Sequence, residues 1–103
     1  MTTESRISEA GLRVLRTLQA LRGHSLKGLS NGELATRLQD SKANVNRSVN
    51  TLIAAGLAVR LEDGRYALSV GMLQIAQAHA EEMARAQNRI NELSQRVLAG
   101  AHL

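Results

Sequence analysis

The sequence predicts a mainly α protein in which three helices and a β-hairpin precede one long C-terminal helix. Apolar residues recur at helical spacing in three segments, and Asp63-Gly64 separates two short apolar runs. No helix breaker occurs between Gly71 and Ala99, and the 103 residues contain no proline, which favours long helices. We therefore expect a compact head over residues 6–69 and a helical tail over residues 70–103.

The first two helices are predicted from their apolar spacing and from a capping motif. The stripe of the first helix comprises Ile7, Ala10, either Val14 or Leu15, Leu18 and Leu21. Ser30 precedes Glu33 by three residues, which is the capping box that begins a helix. This short second helix is expected to end near Leu38, and either Asp40 or Ser41 is expected to cap the next one.

The third helix is predicted over residues 42–55, with Gly56 ending it. Its apolar stripe comprises Val45, Val49, Leu52 and Ile53. Helical spacing then directs another set away from the core, namely Ala43, Asn46, Arg47, Asn50 and Ala54. The helix also contains Asn44, which lies at the margin of this outward set. Asparagine is a poor helix former because its amide competes for backbone hydrogen bonds, so the presence of three asparagines in one helix needs an explanation.

A short β-hairpin is predicted around a two-residue turn at Asp63-Gly64. That turn pairs Leu61 with Tyr66 and Val59 with Leu68. Directly opposite residues share a face, so these four residues would form the apolar side of the hairpin. The polar side would then carry Arg60, Glu62 and Arg65.

The positive charge of the chain is concentrated in its head. Net charge is +4, with ten Lys/Arg against six Asp/Glu in residues 1–68 and three of each in residues 69–103. A basic head beside a neutral tail favours a polyanionic partner. A merely solvated basic surface is equally compatible with the charge alone.

Two helices joined by a tight turn and followed by a hairpin make a winged helix-turn-helix, whose second paired helix enters the DNA major groove. The segments VNRSVNTLIAAGL (45–57) and GRYALSVGMLQIA (64–76) resemble the DNA-binding domain of the IclR family of bacterial regulators. The likeness extends over roughly residues 8–80 and implies DNA binding by a winged helix. The compact form also resembles MarR-like regulators and small phage-encoded DNA-binding proteins.

The sequence departs from the IclR pattern at three places, of which the first is a loop over residues 24–29 that is longer than the family's. Gln39, Asp40 and Ser41 stand where the family has a glycine, an apolar residue and a proline, so we expect a differently packed turn. The helix to Leu103 stands in place of the family's large effector-binding domain, so no small-molecule effector is expected.

The outward residues of the third helix are candidate DNA ligands. Asparagine can contact adenine through two hydrogen bonds, and arginine or lysine can do the same with guanine. Base contacts are therefore expected from Lys42, Asn44, Asn46, Arg47 and Asn50. Contacts with the DNA backbone are expected from Arg37, Arg60 and Arg65. The alternative is that these residues are only solvated, with Arg65 pairing with Glu62 across the hairpin.

The tail carries a seam in which apolar residues alternate near three and four positions apart, as in a coiled coil. The seam comprises Ala76, Ala80, Met83, Ile90, Leu93 and Val97. Gln87 and Ser94 interrupt it. We expect a homodimer through this helix, which would present two recognition helices to a palindromic DNA site.

Other classes of function find little support in the sequence. There is no cysteine, and the three histidines are scattered, so we expect no metal, no cofactor and no enzyme. No apolar run suits a membrane span or a signal peptide, which favours the bacterial cytosol or nucleoid. The sequence thus predicts a small dimeric transcription regulator of a bacterium or phage. The alternative is a winged-helix adaptor or inhibitor that has lost specific DNA binding and interacts with proteins instead.

Overall fold

The computed structural model describes residues 6–100. The elements along the chain are α1 (Glu9–Ala20), α2 (Asn31–Leu38), α3 (Lys42–Ala54), β1 (Ala58–Arg60), β2 (Tyr66–Leu68) and α4 (Val70–Gly100). The chain divides into two compact units, of which the first ends at Met72 and the second begins at Leu73. The predicted fold class is confirmed, since three helices and a hairpin precede a long helix.

A serine side chain caps the start of each of the first three helices. The Oγ atoms of Ser8, Ser30 and Ser41 each accept a hydrogen bond from the backbone N–H three residues later, at 3.0, 3.1 and 3.0 Å. Such caps satisfy N–H groups that have no partner inside the helix. Of the two residues considered for the cap of α3, Ser41 takes that role.

Ser69 joins the start of α4 to the end of α3. Its hydroxyl donates to the Gly56 carbonyl at 2.7 Å and accepts from the Met72 backbone N–H at 3.0 Å. Gly71 lies against the same carbonyl, because a Cβ at this position would come within 3.2 Å of it. These contacts hold residues 69–72 against the end of α3.

The hairpin register differs by one residue from the prediction. Ala58 lies opposite Leu68 and Val59 opposite Ala67, so the expected pairing of Val59 with Leu68 is wrong. The reason is the turn. The Leu61 N–H donates to the Arg65 carbonyl at 2.7 Å, which leaves a three-residue loop between them rather than a two-residue one. As a result Ala58 is buried, whereas Val59 is 39% exposed.

A third chain segment pairs with the hairpin. Leu29 and Tyr66 exchange two backbone hydrogen bonds, of 2.9 and 2.8 Å, in an antiparallel bridge. Nothing in the sequence indicates this pairing, because a single bridging residue has no alternating pattern to reveal it. Both residues are buried, at 2% and 6% exposure, so this bridge holds the segment before α2 against the hairpin.

The core lies where α1, α2, α3 and the hairpin meet. Its buried members are Leu21, Leu29, Leu34, Ala35, Val45, Val49, Leu52, Ala58 and Tyr66. Val14, rather than Leu15, packs against this core. The expected core positions Ile7 and Ile53 are 57% and 36% exposed: Ile7 precedes α1, and Ser48 rather than Ile53 lies on the buried side of α3. Thr17 is the buried polar residue of α1. Thr17 is satisfied there by donating to the Arg13 carbonyl at 2.8 Å.

Replacing Gly28 with alanine should lower the free energy of unfolding by about 2–4 kcal/mol. Gly28 has a φ of 74°, and a Cβ there would lie 2.7 Å from the Tyr66 carbonyl oxygen and 2.9 Å from Leu61 Cδ1. Gly23→Ala is the matched control, since φ is 81° and nothing lies within 4 Å. The control should lower the free energy of unfolding by only about 1 kcal/mol, the penalty for alanine in the left-handed conformation. Urea unfolding followed by circular dichroism measures both, and equal losses would contradict the close approach.

Candidate nucleic-acid interface

The exposed side of α3 carries a compact set of polar side chains. We call Lys42, Asn46, Arg47 and Asn50 the recognition face. All four are exposed, as is the small Ala43 among them. The opposite side of the helix is buried through Val45, Ser48, Val49 and Leu52. This division follows from the helical period, so packing of the buried side sets the direction of the recognition face.

Two asparagines of the recognition face keep their amides unengaged. Within residues 6–100, no hydrogen bond involves the side chain of Asn46 or Asn50, although Asn44, Arg47 and Thr51 on the same helix all have one. An exposed amide offers one acceptor and two donors. The pair therefore retains its full capacity for hydrogen bonds with a ligand.

Asn44 differs from the other two asparagines because its amide is used inside the protein. The residue is half-buried, and its Nδ2 donates to Asp40 Oδ1 at 2.8 Å. Its Oδ1 accepts from Arg47 Nη2 at 3.2 Å. Asn44 thus joins Asp40 to Arg47 at the start of α3, and its contact with bases stays a prediction.

The turn between α2 and α3 is built without the glycine that such turns often contain. Gln39 takes the left-handed conformation instead, with φ 53° and ψ 47°. The next residue, Asp40, accepts from the Ser41 N–H at 2.8 Å and donates its own N–H to the Ala35 carbonyl at 3.1 Å. The turn is therefore closed by backbone and carboxylate hydrogen bonds in place of a glycine and a proline.

Asp40 also connects this turn to α1. Its Oδ2 lies 3.1 Å from Arg13 Nε. The Asn44 amide, then the Ser41 N–H, and then Arg13 hold the pKa of Asp40 below its ordinary value, because all three favour the charged carboxylate. The carboxylate is thus ionised at neutral pH and links α1 to the first turn of α3.

Arg65 is committed to partners within the head. Its Nε donates to the Lys27 carbonyl at 3.2 Å, and its Nη2 donates to the Gly28 carbonyl at 3.2 Å. The same Nη2 forms an ion pair with Glu33 Oε1. The side chain is 25% exposed. Arg65 therefore ties the hairpin to the loop before α2 and to α2 itself, and the alternative pairing with Glu62 does not occur.

Glu33 serves two neighbours at once. Its carboxylate accepts from the Ser30 N–H at 2.9 Å, which completes the predicted capping box, and it also receives Arg65. The Ser30 backbone hydrogen bond is the main reason that the pKa of Glu33 lies below its ordinary value. One carboxylate thus fixes both the first turn of α2 and the hairpin arginine.

The two other arginines predicted to meet the DNA backbone lie in different surroundings. Arg60 is exposed at the end of β1, and its Nη2 would be 3.7 Å from a Cβ placed at Gly64 in the turn. Arg37 lies at the last turn of α2, where its Nη1 is 3.2 Å from His24 Nε2. It lines a hollow between α1 and α2 rather than the recognition face.

The second unit consists of α4 from Leu73 onward, and every described residue in it is exposed. The larger members of the predicted seam are exposed by 48% to 63%, namely Met83, Ile90, Leu93 and Val97. Ala76 and Ala80 lie at the same helical spacing and are exposed as well. Gln87, which interrupts the seam, donates to Asn91 Oδ1 at 3.0 Å.

Across residues 6–100, no three histidine, aspartate, glutamate or cysteine side chains gather where they could hold a metal ion. In the same range no helix combines the length and hydropathy that a bilayer crossing requires.

Similar proteins are found by structure rather than by sequence. No protein-family model matches the chain. No curated protein matches it in sequence. An IclR family transcriptional regulator from Brucella abortus is similar in structure, with a TM-score of 0.63 and 25% identity over 77% of this chain. The match spans only 30% of the Brucella chain.

Two structures of MepR from S. aureus are also similar. A MepR mutant bound to an oligodeoxyribonucleotide matches with a TM-score of 0.55 and 18% identity, over 84% of this chain and 65% of that one. A second MepR mutant, from a multidrug resistant clinical isolate, matches with a TM-score of 0.54 and 20% identity, over 96% and 81%. The head has the winged helix-turn-helix fold. This is the fold that the resemblance in the sequence implied, and the IclR family regulator is similar to the head in structure.

Two important residues escaped prediction from the sequence. Leu29, the partner of Tyr66, and Glu33, the partner of Arg65, lie 37 and 32 positions from those partners. Contacts over such separations leave no periodic signal. The capping box identified Glu33 as a helix-starting residue, but nothing in that motif indicates a second partner.

Replacing Gln39 with glycine should raise the free energy of unfolding by about 0.5–1 kcal/mol, because glycine adopts the left-handed conformation without a steric penalty. Gln39→Ala is the control, since alanine meets the same penalty as glutamine and should leave stability unchanged. Thermal and urea unfolding of the three proteins measure the difference. A glycine variant no more stable than the alanine variant would show that the turn relieves the strain in another way.

Proposed function

We propose that this chain binds double-stranded DNA in a sequence-specific manner as a homodimer and regulates transcription in a bacterium or its phage, in the cytosol or nucleoid. The observation that carries the proposal is the recognition face. Asn46 and Asn50 present unengaged amides beside the exposed Arg47, on the second helix of a helix-turn-helix. Each good two-bond contact with a base contributes about 1–3 kcal/mol of discrimination, which exceeds the few tenths that asparagine costs in helix propensity.

The surroundings of the recognition face support DNA as the ligand. Lys42 begins α3 and Arg60 ends β1, and both are exposed cations suited to phosphate contacts. The similarity to MepR bound to an oligodeoxyribonucleotide supports the same class of ligand. We propose a binding protein rather than an enzyme, since the recognition face holds amides and cations but no nucleophile or general base.

The proposed roles of the remaining candidates follow from their contacts. The polar atoms of Asn44 and Arg65 form hydrogen bonds within the head. We therefore propose that both residues position other groups and do not contact DNA. We propose that Arg37 does not contact DNA, because it forms a hydrogen bond with His24 and lines the hollow between α1 and α2. The proposed contacts are therefore Lys42, Asn46, Arg47, Asn50 and Arg60.

The proposed dimer forms through α4. At three- and four-residue spacing, one row of the seam carries the larger Met83, Ile90 and Val97, while the other carries Ala80, Gln87 and Ser94. Large residues beside small or polar ones allow close helix approach, and polar seam residues help to fix the pairing register. A helix exposed on all sides has little support from packing, and a second helix would supply it.

Selection from random duplex DNA across a salt series tests the recognition face. The wild-type chain should enrich a palindrome. The charge-neutral variant Asn46→Ala with Asn50→Ala should keep salt-dependent binding yet lose that enrichment, because phosphate contacts survive while base contacts disappear. Asn88→Ala with Gln95→Ala removes amides from α4 and serves as the control. Sequence-blind binding by wild type would point to an architectural role, and no binding at moderate salt would favour the protein-interaction alternative.

Replacing Glu33 with glutamine should weaken DNA binding, although it removes a negative charge. Glutamine preserves the capping box, so the variant breaks only the ion pair with Arg65 and loosens the hairpin. Simple electrostatics predicts the opposite sign, namely tighter binding. Arg65→Gln should also weaken binding while leaving the salt slope unchanged, whereas loss of a phosphate contact would reduce the slope by about one. Fluorescence anisotropy with duplex DNA in a salt series measures both.

Sedimentation tests the proposed dimer. Met83→Glu with Ile90→Glu should give a monomer with an intact head, because two charges cannot be buried in the seam. Asn88→Glu with Gln95→Glu adds the same two charges outside the seam and should leave the dimer intact. A wild-type chain that sediments as a monomer at micromolar concentration would contradict the proposal, as would equal dissociation of the two variants.

A further inference from the structure

A basic hollow lies between α1 and the end of α2, outside the recognition face. We call it the arginine cleft. Its volume is about 510 Å³, and it is lined by Arg16, Gln19, Ala20, Arg22, Arg37 and Leu38. The three arginines are exposed, whereas Ala20 and Leu38 are half-buried. The cleft therefore has cationic walls around a small apolar floor.

The positive charge of the arginine cleft is not neutralised within the part of the chain described. The ion pairs of residues 6–100 join Arg13 to Asp40 and Arg65 to Glu33, and neither involves the cleft. Neighbouring like charges raise each other's energy until an anion approaches. Arg37 is held in place by His24, at 3.2 Å, so at least one guanidinium is oriented before a ligand arrives.

The apolar floor favours an anion that carries aliphatic groups over a phosphate group. Ala20 and Leu38 add aliphatic surface to a lining that holds three guanidinium groups, and a phosphate group cannot use that surface. Arginine pairs with carboxylates through two parallel hydrogen bonds, and an aliphatic side chain can bury the floor. The matching ligand therefore carries carboxylates on either side of one aliphatic residue.

The position of the arginine cleft argues against the DNA backbone as its ligand. None of the residues of α3 or of the hairpin lines it. The adjoining hollow, which shares Arg16 and Leu38, is also lined by Glu9 and by Asp40, and Asp40 is paired with Arg13. A continuous phosphate backbone would pass Glu9, which has no ion pair within residues 6–100, whereas a short acidic segment can stop before it.

We infer that the arginine cleft is a docking site for a short acidic segment of a partner protein, with glutamate or aspartate residues flanking one aliphatic side chain. The cleft shares no residue with the recognition face, so the segment and DNA can bind together. This inference goes beyond DNA binding and does not depend on it.

The probe is a fluorescein-labelled glutamate-rich peptide with one central leucine, measured by anisotropy against the full chain at near-physiological salt. Arg16→Gln with Arg22→Gln should weaken binding by about tenfold or more, since two charge-assisted contacts are lost. Lys27→Gln with Arg60→Gln is the matched control, because it removes the same charge beside the hairpin. It should leave peptide binding unchanged. A peptide with glutamine in place of glutamate should not bind.

Duplex DNA binding by the same variants separates this inference from the proposed function. The Arg16 and Arg22 variant should keep the wild-type affinity for duplex, whereas the Lys27 and Arg60 variant should lose affinity. Equal loss of peptide binding in both variants would overturn the inference by showing diffuse attraction. Loss of duplex affinity in the cleft variant would overturn it by making the cleft part of the DNA surface. If wild type binds no duplex, the peptide measurements still decide whether the cleft is a docking site.

Discussion

Burial of one side of α3 is the constraint on which the rest of the head depends. Val45, Val49 and Leu52 are each exposed by no more than 1%, and burying each aliphatic side chain contributes about 1.5–3 kcal/mol. Because the helix is rigid, the packing that places these side chains inward also places Asn46 and Asn50 outward. Asn46 and Asn50 therefore need no side-chain interactions of their own to be held in position, and their amides remain available to a ligand.

Polar contacts, by contrast, set the ends of the helices and the position of the hairpin. Asp40 joins α1, the turn and α3, while Glu33 joins α2 to the hairpin through Arg65. These pairs use up two arginines of the head. Of the cations that remain, Lys42 and Arg47 lie on the recognition face, whereas Arg16, Arg22 and Arg37 line the arginine cleft. Composition gives only the sum of the charges, and the fold decides where they gather.

What could be predicted from the sequence was local. The faces of α3 and the capping box at Ser30 follow from spacings of a few residues, and both are present in the structure. The hairpin register was missed because an Asp-Gly pair fits loops of two or three residues, and backbone hydrogen bonding decides between them. The pairing of Leu29 with Tyr66, and of Glu33 with Arg65, depends on chain segments that only the folded core brings together.

The three asparagines of α3 differ in their hydrogen bonding. Asn44, Asn46 and Asn50 look alike in the sequence, yet Asp40 engages the amide of Asn44 and leaves the other two unengaged. A turn built on glycine and proline would have no carboxylate at that place. The departure of Gln39-Asp40-Ser41 from the IclR pattern thus supplies a carboxylate that engages the amide of Asn44, whose Oδ1 in turn accepts from Arg47. The base contacts proposed here are consequently fewer than those predicted from the sequence. They comprise the amides of Asn46 and Asn50 beside Arg47, which Asn44 orients.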